Sequence, residues 1–207
     1  MPNEFLESYF PLRIVVYESI PDSGGAGLHR GGNGVSLGYM FLEPGEISIH
    51  DDRWLTHPWG VNGGLPGARA TKLMRRANGT EERLPSKCDR VRVAPGDVLY
   101  FNTWGGGGWG DPLKRDPAKV AKDVERGLVT VAGARRYGVV LEPDGGVDAH
   151  ATAALRERMA RERGATVLFD RGGTVEELKA RCKAETGFDP PRAPEFQKWM
   201  RGGTEAA

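Results

Sequence analysis

The sequence predicts an α+β fold: an antiparallel β-rich body, sandwich or barrel-like, followed by a helical carboxy-terminal third. Through the first two-thirds of the chain, short segments rich in β-branched and aromatic residues alternate with glycine and proline turns. After Trp109 the pattern changes to longer segments that begin at helix-capping residues. The 30 glycines and 14 prolines among 207 residues indicate frequent turns. We expect a β-rich region at residues 1–112 and a helical region at residues 113–207.

Seven short segments in the first hundred residues predict strands. They are residues 12–17, 34–41, 47–50, 70–75, 81–84, 91–93 and 98–101. The turn sequence at residues 43–46 predicts that the second and third segments form a hairpin. Asn78-Gly79 is the strongest hairpin signal in the chain, because both residues tolerate the positive φ of a tight turn.

Four helices are predicted from capping residues and apolar spacing. They cover residues 116–126, 130–138, 148–163 and 174–187. Asp116 and Thr130 are expected N-caps, and Thr174 with Glu177 has the capping-box pattern. One further turn is expected at residues 195–200, with frayed residues from Arg201 onward.

Charge and composition exclude several classes of protein. Lys and Arg total 29 against 28 for Asp and Glu, so the chain lacks the basic excess of a nucleic-acid binder. No apolar run approaches the roughly 20 residues of a membrane span, and the start lacks the pattern of a secretory signal. Cys88 and Cys182 are far apart and form no metal-binding motif. We expect a cytoplasmic protein without membrane or nucleic-acid partners.

Three glycine-rich segments stand out: the first at residues 22–34, the second at 59–67 and the third at 103–112. Glycine permits close backbone approach, and successive free N–H groups can form a nest for an anion. The alternative is that these segments are tight loops between strands. None has a phosphate-loop or dinucleotide-binding pattern. Because Trp104 and Trp109 flank four consecutive glycines, we expect a packed loop whose backbone faces a ligand or partner.

Residues 49–59 concentrate polar side chains, and two interpretations are open. His50, Asp52 and His57 could ligate a metal through nitrogen and oxygen donors. The favoured interpretation is a structural ion pair. One of the two acids Asp51 and Asp52 would pair with one of the two arginines Arg53 and Arg30. The chain has no Gly-x-Ser-x-Gly elbow and no cysteine with a histidine nearby in sequence, so it displays no complete active site.

The order and spacing of several segments together resemble the hydantoinase B / 5-oxoprolinase family. The segments are residues 10–14, 21–27, 30–34, 59–60, 63–64, 66–67, 95–98, 105–112 and 137–141. The resemblance covers roughly residues 5 to 145 and falls in the carboxy-terminal part of typical, much longer family members. Residues 50–54 and 103–105 look closer to the branch that includes subunits of acetone- and acetophenone-type carboxylases.

The resemblance implies an enzyme component that opens cyclic amides with ATP. It implies that ATP binds a separate hydantoinase A-like subunit, and that an amino-terminal hydantoinase B-like chain completes the site. Any metal ligands of the family should lie in that amino-terminal part, so none is assigned here and the metal is left open. The chain is then a split-gene subunit or a fragment. The alternatives are a subunit of an ATP-dependent ketone carboxylase and a non-catalytic assembly subunit.

Candidate site residues follow from the glycine segments and their polar neighbours. The predicted catalytic residues are Asp51, Asp52 and Arg53. The predicted substrate-binding or subunit-contact residues are Arg30, Gly31, Gly32, Asn33, Trp59, Gly60, Asn62, Gly63, Gly105, Gly106, Gly107, Gly108, Trp109 and Asp111.

Overall fold

The computed structural model describes residues 2–190. The strands are β1 (Leu12–Ser19), β2 (Val35–Phe41), β3 (Gly45–His50), β4 (Gly60–Val61), β5 (Thr71–Arg75), β6 (Glu81–Leu84), β7 (Lys87–Val93), β8 (Val98–Asn102) and β9 (Phe169–Asp170). The helices are α1 (Asn3–Tyr9), α2 (Pro117–Glu125), α3 (Val131–Ala134), α4 (Ala149–Arg163) and α5 (Val175–Thr186).

A five-stranded antiparallel sheet forms the body, in the order β1-β2-β8-β5-β6. A second sheet, made of β3 and β7, packs its apolar residues on this one. Phe41, Met74 and Leu99 of the large sheet meet Ile49 and Val93 of the small sheet in a buried cluster. Among the described residues the sheets do not close into a barrel. The predicted α+β class is confirmed.

The predicted hairpin between residues 34–41 and 47–50 is wrong. Strand β2 pairs with β1 on one side and β8 on the other, so neither of its edges is free for β3. Strand β3 pairs instead with β7. This places Ile47 and Ile49 over the large sheet, where they bury apolar surface. The apolar burial that β3 gains by covering the large sheet therefore outweighs the local turn signal at residues 43–46.

The hairpin predicted at Asn78-Gly79 is confirmed. Strands β5 and β6 pair antiparallel, with Arg75 opposite Glu81. Gly79 has a φ of 85°, a left-handed conformation that glycine adopts without strain. The Asn78 side chain accepts a hydrogen bond from the Thr80 N–H at 3.0 Å, which stabilises the turn.

The helical part follows the capping residues closely. The predicted N-caps Asp116 and Thr130 accept hydrogen bonds from the first turns of α2 and α3, and Thr174 with Glu177 forms the predicted capping box of α5. The helix predicted to reach Gly138 is shorter, because α3 gives way to a 3-10 turn, Arg135–Tyr137. Helix α1 and the short strands β4 and β9 were not predicted. The turn expected at residues 195–200 and the fraying expected from residue 201 lie outside the described residues.

A second core joins the helices to the first glycine segment. Its buried residues are Ala26, Val120, Val129, Ala134, Tyr137 and Val139. Only Ala26 comes from the glycine-rich part of the chain, and it is fully buried among side chains of the helical region. The helical region therefore packs against the first glycine segment from one side. No helix within residues 2–190 has the length and apolar character needed to cross a membrane.

Candidate functional site

The three glycine segments lie side by side and exchange backbone hydrogen bonds. The Gly25 N–H donates to the carbonyl of Gly106, and the Gly106 N–H donates to the carbonyl of Gly32, both at 2.8 Å. The Gly108 N–H donates to the carbonyl of Leu65 at 2.9 Å. The third segment is therefore bonded to the first and to the second, and the fold assembles into one unit three stretches that are distant in sequence.

The backbones approach so closely that side chains are excluded from the points of contact. A Cβ atom on Gly107 would lie 1.7 Å from the carbonyl oxygen of Trp59. One on Gly31 would lie 2.1 Å from the carbonyl oxygen of Gly106. Any larger residue at these positions would push two backbones apart, so packing between the segments accounts for these glycines.

Most N–H groups of the four-glycine stretch already have partners. The Gly105 N–H donates to Ala68 at 3.2 Å, and those of Gly106 and Gly108 donate to the other glycine segments. An anion nest needs successive N–H groups that are free to converge on a ligand. The stretch therefore does not form such a nest in this structure. Its predicted role in contacting substrate or another subunit stays a prediction.

The tryptophans around the segments project from the surface. Trp59, Trp104 and Trp109 are 44%, 40% and 47% exposed. The ring of Trp109 lies 5.5 Å from that of His29, and the ring of Trp59 lies 6.1 Å from that of Phe169. Backbone hydrogen bonds hold the segments together, and the buried part of each indole packs beside them. The exposed part of each indole is available to another surface.

Asp51 lies directly after β3, and its side chain is buried in an ion pair. Its carboxylate accepts a hydrogen bond from the ammonium group of Lys72, which is also buried. The Lys72 ammonium group lies 3.9 Å above the ring of Phe101. Burial lowers the pKa of Lys72, and its hydrogen bond to Asp51 opposes that shift. The predicted pairing of Asp51 with Arg53 or Arg30 is therefore wrong.

Asp52 and Arg53 lie beyond the end of β3 at the surface. Asp52 forms an exposed ion pair with Lys87 at 3.0 Å rather than with an arginine. Arg53 has a φ of 59°, so the extended chain ends before it. Asp52, Arg53, Trp54 and Lys87 line an open cavity of about 330 Å³. The predicted catalytic residues therefore divide into an internal carboxylate, Asp51, and two groups at an open cavity.

Arg30 and Asn33 connect the first glycine segment to the helical region. Arg30 Nη1 donates to Asn33 Oδ1 and to the carbonyl of Gly31, both at 2.8 Å. The Asn33 amide donates to the carbonyl of Leu128 at 2.8 Å. Arg30 Nε lies 3.5 Å from a carboxylate oxygen of Asp123 on α2. These contacts give both residues a structural role in addition to any contact with a ligand.

Residues 164–173, here called the return segment, run back from α4 over the second glycine segment. The Asn62 N–H donates to Leu168 at 2.7 Å, and the Gly63 N–H donates to Val167 at 2.9 Å. Gly60 pairs with β9, which lies within the return segment. Three predicted site residues are thus partly covered by a segment that the sequence did not predict to be there.

Asp111 connects the third glycine segment to α4 through an ion pair with Arg163. Its carboxylate accepts two hydrogen bonds from Arg163, at 2.6 and 2.9 Å, and one from the N–H of Leu113 at 2.8 Å. The hydrogen bond from Arg163 lowers the pKa of Asp111, burial opposes this shift, and the Leu113 N–H adds to it. Asp111 is therefore held as a carboxylate with a structural function.

A cavity of about 360 Å³ lies beside the return segment and the second glycine segment. Its polar lining includes Asp22, His57, Arg136 and Arg181. Arg136 Nη1 donates to the backbone carbonyl of Asp22 at 2.7 Å. Within residues 2–190, neither Arg136 nor Arg181 has an acidic partner closer than 4.0 Å. We call this open space, lined by the half-buried Arg136 and the exposed Arg181, the arginine cavity.

His57 is a half-buried titratable group in the lining of the arginine cavity. Its Nδ1 lies 2.8 Å from the carbonyl of Gly67, which can only accept, so Nδ1 carries the proton. Nε2 is then a lone-pair acceptor, and it is buried without a hydrogen-bond partner among the described residues. Burial lowers the pKa of His57, the bond to Gly67 opposes that shift, and Arg69 and Arg181 add to it. His57 is therefore a neutral base at neutral pH.

The candidate metal ligands do not come together. His50 pairs with Asp89 at 3.0 Å, whereas His57 is bound to the backbone of the second glycine segment. No group of three His, Cys, Asp or Glu side chains suited to a metal occurs in the part of the chain that the structure describes. The interpretation of His50, Asp52 and His57 as one metal site is therefore wrong.

Sequence reasoning missed three basic residues. Lys72 had a usable signal, because it shares one face of β5 with the buried Met74 two residues later. Arg136 and Arg181 have no such sequence signal, because only long-range packing brings their helical regions to one cavity. For His57, the polar stretch at residues 49–59 indicates only a possible metal ligand.

Comparisons with known proteins identify the family. The model of the Hydantoinase B/oxoprolinase family matches residues 1–112. The beta subunit of the caprolactamase of Pseudomonas jessenii is 37% identical over 161 residues, covering 74% of this chain and 27% of its own length. The B subunit of a putative D-/L-hydantoinase from Pseudomonas sp. (strain NS671) is 35% identical over 159 residues, covering 75% of this chain and 27% of its own.

Solved structures agree with the sequence comparisons. The crystal structure of the ATP-dependent caprolactamase from Pseudomonas jessenii matches with a TM-score of 0.63 and 32% identity, covering 75% of this chain and 28% of that one. A nucleotide-free acetone carboxylase structure matches 98% of this chain and 28% of its own with a TM-score of 0.68. At 23% identity, the second match shows the fold alone.

The chain spans 27% of the length of the two curated relatives named above. The family match nevertheless covers more than half of the chain and includes all three glycine segments. On these matches, the chain belongs to the hydantoinase B/oxoprolinase family.

Proposed function

We propose that this chain is a component of an ATP-dependent cyclic-amide hydrolase and that partner chains complete the active site. The observation that carries the proposal is its 35–37% identity, over three quarters of its length, to subunits named for hydantoin and caprolactam hydrolysis. Both relatives are named as subunits, which supports partner chains. The chain corresponds to only 27% of each relative, which supports an active site that it completes only in part.

ATP is assigned in this proposal to a hydantoinase A-like partner. The sequence has no Gly-Lys-Ser/Thr phosphate loop, and the N–H groups of Gly105, Gly106 and Gly108 are occupied by backbone carbonyls. The third glycine segment therefore offers no row of free N–H groups to a triphosphate, which supports an ATP site on the partner. An amino-terminal hydantoinase B-like chain would supply any metal ligands, and a cytoplasmic location would give the complex access to ATP.

The predicted catalytic residues enter the proposal with different functions. Asp52 and Arg53 line an open cavity, so they can contact substrate once another chain closes it. Asp51 is sealed against Lys72 and would position the neighbouring segment. The predicted contact residues of the glycine segments would form a rigid platform for substrate or a partner, with Trp59 and Trp109 exposed on it.

Reconstitution tests the proposal. The chain is co-purified with a hydantoinase A-like subunit and an amino-terminal hydantoinase B-like chain, and ATP hydrolysis is measured with hydantoin, 5-oxoproline and caprolactam. We expect one of these cyclic amides to stimulate ATP hydrolysis together with ring opening. If the assembled complex turns over no cyclic amide, the proposed function is wrong.

A ketone carboxylase subunit is the second candidate. The acetone carboxylase fold covers 98% of the chain, a larger share than the caprolactamase match. Ketone-stimulated ATP hydrolysis that requires bicarbonate would favour this candidate, whereas ring opening without bicarbonate would favour the hydrolase.

A non-catalytic assembly role is the third candidate, and the backbone packing of the glycine segments favours it. Such packing builds a rigid scaffold without presenting a complete set of reactive groups. A complex that keeps full turnover when this chain is left out would support the assembly role and contradict both enzymatic candidates.

A further inference from the structure

We infer that the arginine cavity binds an oxyanion, a carboxylate or a phosphate, between Arg136 and Arg181. The two guanidinium groups come from separate parts of the helical region and line one space of about 360 Å³. Within the described part of the chain, neither has an acidic partner within 4.0 Å. Two cations that face the same cavity repel each other, and an oxyanion between them replaces that repulsion with charge-assisted hydrogen bonds.

The acidic groups around the cavity are already engaged. Both carboxylate oxygens of Asp22 accept hydrogen bonds from Thr130, at 3.0 Å from its N–H and 2.5 Å from its hydroxyl. Asp170 accepts from the N–H of Gly172 at 2.8 Å, within the return segment. These contacts fix the positions of both carboxylates, which keep their negative charge, and neither carboxylate lies within 4.0 Å of a side-chain nitrogen of Arg136 or Arg181. His57 adds no positive charge there, because its Nε2 is an unprotonated atom buried away from the cavity surface.

An adjoining cavity extends the site with apolar surface. It measures about 320 Å³ and shares Leu65 and Arg136 with the arginine cavity. Pro112, Leu113 and Met159 form its apolar wall. Glu162 and Arg163 also line this cavity, so Arg136 lies between the arginine cavity and a space that is only partly apolar. This arrangement fits a ligand with an oxyanion head and a short aliphatic body, and both volumes fall in the range of small-molecule sites.

The inference rests on the proposed function only for the natural source of the oxyanion. Hydrolysis of a cyclic amide creates a carboxylate, and hydrolysis of ATP creates phosphate, so the proposed reaction supplies both. Binding is measured without turnover. A cavity that binds nothing would overturn this inference alone, and a complex without cyclic-amide turnover would overturn the proposed function alone.

Isothermal titration calorimetry on the full 207-residue chain tests the site with inorganic phosphate, acetate and hexanoate at matched ionic strength. Arg136→Gln and Arg181→Gln are compared with Arg135→Gln and Lys179→Gln. These controls remove the same charge one or two residues away from groups outside the cavity lining. Circular dichroism checks the folding of every variant, and the exposed Arg181→Gln carries the test if Arg136→Gln unfolds.

We expect saturable binding of phosphate or hexanoate that weakens about tenfold or more in each cavity variant, since a charge-assisted hydrogen bond is lost. The two control variants should bind like the wild type. Tighter binding of hexanoate than of acetate would show that the apolar cavity is used, and a preference for phosphate would identify the other source. No saturation by any probe up to about 50 mM, or equal weakening in cavity and control variants, would overturn the site.

Discussion

Replacing Gly107 with alanine tests whether backbone packing explains the glycine segments. The added Cβ would lie 1.7 Å from the carbonyl oxygen of Trp59, so the two backbones must separate by more than about 1 Å. Overpacking of this kind costs about 1–3 kcal/mol. The separation also strains the bonds from Gly106 to Gly32 and from Gly108 to Leu65, each contributing about 1 kcal/mol. The expected loss is about 3–5 kcal/mol.

Urea unfolding followed by tryptophan fluorescence measures this loss, and thermal melting provides a second reading. For a chain of this size, the expected destabilisation lowers the melting temperature by roughly 6–20 °C. Gly32→Ala is the matched control, because a Cβ there meets no atom within 4 Å. It should leave stability unchanged or slightly raised, since alanine restricts the unfolded chain. If Gly107→Ala is as stable as Gly32→Ala, the packing account of the segments is refuted.

Three further predictions concern the sheets and α5. Asp51→Asn leaves the buried Lys72 ammonium group without its counter-charge and should cost about 3–5 kcal/mol in urea unfolding, whereas Asp52→Asn at the surface should change nothing. Asp97 lies directly before β8 and accepts hydrogen bonds from the Ala77 N–H and from Arg76, both at 2.9 Å. Burial favours its neutral form, but these hydrogen bonds outweigh burial and lower the pKa of Asp97 from 3.8. Its stabilisation is therefore complete well above pH 4 and is lost as the pH falls through the folded pKa, a dependence that Asp97→Asn should flatten. Thr174→Ala removes the N-cap of α5 and should cost about 1 kcal/mol, seen as faster amide hydrogen exchange there.

Each of these predictions has a contradicting result. An Asp51→Asn protein as stable as Asp52→Asn would show that the buried pair does not constrain the fold. An unchanged acid transition in Asp97→Asn would show that its hydrogen bonds do not depend on ionisation. Equal exchange in α5 with threonine or alanine at position 174 would show that the cap is not formed in solution.

Features encoded within a few residues could be predicted from the sequence. The hairpin at Asn78-Gly79 depends on the positive φ of Gly79 and on the hydrogen bond that the Asn78 side chain accepts from Thr80. The N-caps Asp116 and Thr174 depend on hydrogen bonds within one turn. Alternating apolar residues located most strands of the sheets. These signals are local, so no knowledge of the rest of the chain was needed.

Features decided by distant partners could not be predicted. Strand β3 follows β2 after a turn sequence, yet it pairs with β7 because β1 and β8 occupy both edges of β2. Asp51 pairs with Lys72, 21 positions away, and not with Arg53 two positions away. Arg136 and Arg181 meet at a cavity only because the helical region folds back over the glycine segments. Local sequence cannot rank such competing partners.

The glycine segments themselves show why composition alone misleads. A flexible linker and a close-packed backbone can contain the same residues, and they differ only in what a Cβ atom would meet. Tolerance to substitution should therefore follow Cβ clearance rather than position within a segment. In an alanine scan of these glycines, measured by urea unfolding, Gly31 and Gly107 should be intolerant and Gly32 tolerant, although Gly31 and Gly32 are adjacent. Uniform tolerance along the scan would indicate loops that are not packed in solution, and the exposed indoles would then stand on no rigid platform.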